Sequence, residues 1–186
     1  MTDKSIWIIT GTQYSGKTVT IQAIIECLQK NSLSICGVIS PGSYVDNKRT
    51  KIMAENIESK DRCGLAHYCP GWDINMPQKK WKMDEKGLQW GNEQLGKIKV
   101  KNKVFIIDEL GFYELLHQQG WIKAIQIIKT KEYGAAVLAV RKEMIGEMVN
   151  ICEKANIKPH IYDLNEKQVP VKEICKEIVA LSTACS

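Results

Sequence analysis

Long apolar runs, paired cysteines and a dominant charge are all missing from this sequence, and each gap removes a class of protein. Apolar stretches such as Ile6–Ile9 and Val104–Ile107 fall far short of the roughly 20 residues a bilayer-spanning helix needs. Seven cysteines are present, an odd number with no Cys-x-x-Cys pair. That scatter predicts buried thiols in a reducing compartment, not a disulfide framework. The opening Met-Thr-Asp-Lys-Ser shows no cleavable export signal, so the expected location is the cytoplasm, without membrane attachment. A formal charge of +5 is mild, and the lysines, densest at 79–82 and 97–103, run along the whole chain. They are expected to be solvated faces, and nucleic acid is not an expected partner.

The apolar and charged fractions, 44% and 25% of 186 residues, suit one globular domain with a sizeable core. Ser5–Thr10 reads as a buried strand and Lys17–Lys30 as a helix with Val19, Ala23, Ile24, Cys27 and Leu28 at helical spacing. A second strand spans Ser34–Ser40, stopped by Pro41-Gly42. Arg49–Tyr68 suggests an antiparallel pair, and 43–83 as a whole reads as an insert. Asp84–Ile98 is expected to be helical despite its glycines. Further on come strand Val104–Ile107, helix Trp121–Lys131, strand Ala135–Val140, helix Glu143–Ala155, strand Lys158–Asp163 and helix Val171–Leu181. Strands alternating with helices predict a three-layer α/β domain over 1–186, its sheet mostly parallel with helices on both faces.

Residues 11–18, Gly-Thr-Gln-Tyr-Ser-Gly-Lys-Thr, satisfy G-x-x-x-x-G-K-[ST], the phosphate-binding P-loop (Walker A). Gly11 and Gly16 let the backbone of Thr12, Gln13, Tyr14 and Ser15 turn its amides toward phosphate oxygens. The helix that begins near Lys17 adds the positive end of its dipole. Lys17 supplies a cation for the β and γ phosphates, and Thr18 a hydroxyl for Mg2+. Chance places such a string in roughly one chain of this length in a hundred, and here it stands where a strand ends and a helix starts. Val-Phe-Ile-Ile-Asp-Glu, 104–109, supplies the acidic strand end (Walker B). Asp108 would hold the metal through water. Glu109, projecting differently, would orient or activate water in line with the γ-phosphate. Arg141, at the end of another strand, is placed to neutralise charge on the transferring phosphoryl group.

Asp-Glu-Leu-Gly-Phe-Tyr-Glu-Leu-Leu (108–116), followed by Gly120-Trp121, resembles the small P-loop nucleoside-triphosphatases called thermophile-type NTPases. The likeness takes in the loop at 11–18, Gly-Val-Ile-Ser-Pro-Gly at 37–42 and Val-Leu-Ala-Val-Arg at 137–141. It implies phosphate and metal contacts for Lys17 and Thr18, metal binding for Asp108, water activation for Glu109 and a second acidic place for Glu114. The implied activity is Mg-dependent hydrolysis of the β–γ bond of ATP, GTP or a broader set of nucleotides.

Two other readings stay open. The segment Ile9–Thr12 with Gly16–Val19 also resembles the loop of dethiobiotin synthetases, which points to a ligase or a small-molecule kinase. A nucleotide-gated switch, with a protein partner on 43–83, is the third. Cys63, His67 and Cys69 do not form a zinc set: on a strand the first two stand about 13 Å apart. Trp72, Trp81, Trp90 and Trp121, with Tyr44 and Tyr68, offer faces for stacking, but their irregular spacing favours packing.

Overall fold

The apolar run near the N-terminus forms strand β1 (Ile6–Gly11), and all of it is buried. Successive strand side chains point to opposite faces, so complete burial requires a layer on each side. The computed structural model describes residues 5–71, 73, 75 and 80–184 and shows both layers. Ile6 and Ile8 enter a core with Trp121, Ile125, Ile128, Met148 and Cys152. Trp7 and Ile9 enter a second core with Ile21, Ile24, Leu28, Ile174 and Ile178.

The second core is made by helices α1 (Lys17–Lys30) and α6 (Val171–Ala184). Ile21, Ile24, Ile25 and Leu28 are the apolar face that α1 buries. Val19, expected on that face, is 68% exposed and borders the phosphate loop instead. The first core is covered by α2 (Glu85–Lys97), α4 (Ile122–Thr130) and α5 (Ile145–Lys154), the last preceded by a 3-10 turn at Lys142–Met144. The glycines that weaken α2 as an isolated helix serve its packing. A Cβ at Gly87 would stand 2.0 Å from Gly64 O, and one at Gly91 2.3 Å from Trp121 Nε1. The Asp84 side chain caps α2, accepting from Lys86 N at 2.9 Å.

The remaining strands are β2 (Ile35–Ile39), β3 (Gly42–Val45), β4 (Lys48–Asn56), β5 (Arg62–Tyr68), β6 (Trp81–Met83), β7 (Val104–Leu110), β8 (Ala135–Arg141) and β9 (Pro159–Asp163). One sheet takes them in the order β6-β5-β4-β2-β7-β8-β1-β9, with β3 paired to β4. From β2 to β9 every pairing is parallel. From β2 outward through β4, β5 and β6, and between β3 and β4, every pairing is antiparallel. The parallel half carries the glycine loop. The antiparallel half is the expected insert, and the Arg49–Tyr68 pair is β4 with β5. The short β3, β6 and α3 (Phe112–Leu115) had no expectation attached. Trp72, Lys79 and Cys185 lie outside the described residues. No helix among the described residues is long and apolar enough to cross a membrane.

Candidate functional site

Parallel strands deliver their carboxyl ends to one edge, where ligands of open α/β sheets collect. Here β1 ends at Gly11, β7 carries Asp108 and Glu109 just before its last residue, and β8 ends at Arg141. Gly11 pairs in register with Arg141, which puts the loop and that arginine side by side. At the mouth of α1, Gly16 has φ 97°, a left-handed backbone that glycine adopts without strain. Tyr14 shares the left-handed region at φ 65°. Gln13, Tyr14, Gly16, Lys17 and Thr18 line a cavity of about 440 Å3, while Gly11 borders a smaller one with Glu109 and Arg141. Thr12 and Ser15 face elsewhere. Asn165 clamps Thr12, accepting from its amide at 2.8 Å and donating to its hydroxyl at 3.0 Å. Ser15 Oγ lies beneath Gly11, 2.5 Å from where a Cβ would stand.

Lys17 is buried, and its ammonium donates to the carbonyls of Gly11 at 3.0 Å and Thr12 at 2.9 Å. Glu109 lies between two cations, with Oε2 3.7 Å from Lys17 Nζ and Oε1 2.7 Å from Arg141 Nε. All three residues assigned catalytic work thus meet at one point. Glu109 and Arg141 keep 28% and 46% side-chain exposure, so solvent reaches the carboxylate, as water activation needs.

Asp108 is wholly buried. Its Oδ2 accepts from Ser40 N at 3.4 Å, the Ser40 hydroxyl donates to its carbonyl, and the peptide that joins it to Glu109 is cis. Burial, reinforced by the Glu109 carboxylate, raises its pKa to about 6, although Thr18, Ser40 and Lys17 pull the other way. Its Oδ1 is buried with no hydrogen-bond partner. An unpaired buried carboxylate oxygen is costly, and a hard cation, which prefers oxygen ligands, would satisfy it. Thr18, Asp108 and the neighbouring hydroxyl of Ser40 therefore fit a magnesium site.

Glu114 borders the larger cavity too, but its carboxylate is taken up by its own loop. It is buried, and its two oxygens accept from the amides of Gly111 at 3.0 Å and Trp121 at 3.1 Å. Burial raises its pKa against those two bonds. Its role is to close the loop between β7 and α4 on itself. Ser40, Arg49 and Asn165 also border the site or its loop and carried no expectation, while Trp81, expected mainly to pack, lines the larger cavity. Ser40 had a faint signal, as the polar residue ending an apolar strand. Asn165 had none, because it reaches the loop across 153 positions of sequence.

A phosphate loop on an α/β sheet, facing an acidic strand end, defines a P-loop nucleoside-triphosphate-binding protein. The chain belongs to the NTPase family, whose pattern matches residues 6–175. Among solved structures it is similar to THEP1 from the hyperthermophile Aquifex aeolicus, at TM-score 0.67 and 18% identity over 93% of this chain and 98% of that one. It is also similar to a human cancer-related nucleoside triphosphatase, at TM-score 0.66 and 16% identity over 98% and 99% of the two chains. Identities this low speak for the fold. No curated protein matches the chain.

Proposed function

We propose that this chain hydrolyses the β–γ bond of nucleoside triphosphates with Mg2+ as its cofactor. The observation that carries the reading is the meeting of Lys17, Glu109 and Arg141 above the buried, half-unpaired Asp108. The loop amides and Lys17 hold the phosphates. Thr18 and Asp108 would hold the magnesium ion, which when bound neutralises charge on the β and γ oxygens. Glu109 orients a water toward the γ phosphorus. As the new P–O bond forms, the bond to the bridging oxygen breaks and the water's proton passes to Glu109. Arg141 and Lys17 face the charge that develops. These groups touch phosphates alone, so they place no demand on the base.

The test is phosphate release from purified protein with ATP, GTP, CTP and UTP, with and without magnesium. Release without any added acceptor, lost when magnesium is withheld, is the expected result. Silence with all four nucleotides in excess magnesium would remove the proposal.

A further inference from the structure

The larger cavity extends well past the phosphate loop. From Lys17 and Glu109 it runs to a floor that includes Leu65, Met83 and Trp121, contributed by β5, β6 and the head of α4. Hydrolysis asks for one water beside Glu109, and an apolar floor gives water nothing to bond. A space of about 440 Å3 in which apolar and aromatic walls face polar and charged side chains suits an organic ligand.

The walls indicate its chemistry. Tyr44 and Trp81 both line the cavity, and Tyr44 pairs in register with Arg49. The Arg49 guanidinium lies 5.6 Å from the centroid of Trp81. Its Nη2 donates to Ser40 O at 3.3 Å, while its Nε is buried and reaches no acceptor. A carboxylate pairs with Arg49 in none of the ion pairs found among the described residues. A planar cation resting on an indole, short of acceptors, is built to take a carboxylate or phosphate. The neighbouring aromatic faces take a flat ring.

We propose that this cavity binds a second ligand, a planar aromatic molecule carrying one anionic group, beside the terminal phosphate of the bound nucleotide. The anion sits on Arg49 and the ring against Trp81 and Tyr44. The proposal rests on the phosphate-loop reading above for the nucleotide's place.

The experiment uses the full chain saturated with magnesium and the β,γ-imido analogue of ATP. It is titrated calorimetrically with AMP and with indole-3-acetate. Glycerol 3-phosphate (an anion without a ring) and adenosine (a ring without an anion) serve as controls. One equivalent of at least one aromatic anion should bind with the imido nucleotide retained, more tightly than either control. Arg49→Met and Trp81→Leu should each weaken that binding by about tenfold or more. Arg49→Met should leave imido-nucleotide affinity within about twofold, since it removes a group off the phosphate loop.

Four results overturn the proposal: neither anion binds, the anion expels the imido nucleotide, the Met variant binds it as well as wild type, or a control binds equally. Failure of the imido nucleotide itself to bind would instead sink the phosphate-loop reading. The anions titrated into the nucleotide-free chain then still read the cavity, where sensitivity to Arg49→Met supports the site and no binding overturns it.

Discussion

Glu109 faces Arg141 on one oxygen and Lys17 on the other, so the three side chains separate into different kinetic roles when removed singly. Glu109→Gln keeps the shape and loses the proton acceptor. Nucleotide affinity should stay within a few-fold while kcat falls by about 100-fold or more, the lower range for general-base catalysis. Equilibrium binding and single-turnover assays on one preparation check this, and unchanged turnover would exclude Glu109 as the water-directing group. Lys17→Ala removes the buried ammonium at the centre of the loop, and binding itself should be lost. On the proposed mechanism, Arg141→Ala takes away a contact to charge that develops only in transit. It should lower kcat with little change in KM, the signature of an interaction confined to the transition state. A rise in KM at constant kcat would make Arg141 a ground-state phosphate contact.

The loop from β7 to α4 hangs on Glu114, and its pH response tests whether that carboxylate is an anchor or a reactant. Its pKa is raised, with burial as the largest cause. A raised carboxylate contributes stability that is fully present below its unfolded pKa and is lost as pH rises through the folded one. Glu114→Gln has no such titration. The stability deficit of the variant should therefore be larger near pH 4 than near pH 7.5, measured by urea unfolding at each pH. A deficit that grows toward neutral pH would show that the two amides outweigh burial. Gly120, at φ 65°, belongs to the same device: a Cβ there would stand 2.1 Å from Glu114 Oε1. Gly120→Ala should cost about 1–3 kcal/mol through strain and the displaced carboxylate. At this scale the sequence was readable where a signal is local. The glycine loop, the acidic strand end, and the helices and strands of ordinary length around them follow from spacing and apolar runs. Strands β3 and β6 and helix α3 are too short to show a period. The anchoring role of Glu114 depends on Trp121 folding back to it, which no residue spacing announces.

Over the whole molecule, the parallel half was legible because each strand–helix unit declares itself in turn. The antiparallel pair was legible as well, but its place in the same sheet was not, since β4 joins β2 only through long-range pairing. For the same reason Arg49 and Trp81, from the antiparallel half, reach a cavity whose other wall is the phosphate loop. A ligand held across both halves should stabilise the fold as a unit. A nucleotide that binds the folded chain alone adds RT ln(1 + [L]/Kd), about 2.7 kcal/mol at 100 times Kd. In a chain of this size that corresponds to roughly 5–11 °C in Tm. Magnesium with the β,γ-imido analogue should raise Tm by that amount in the wild type and leave Lys17→Ala unmoved. Ile8→Ala, which opens space in the core under the sheet, should lower Tm by about 2–5 kcal/mol worth of stability yet keep the full ligand shift. A ligand shift that vanished in Ile8→Ala and persisted in Lys17→Ala would place the binding energy in the packing of the sheet instead of the phosphate loop.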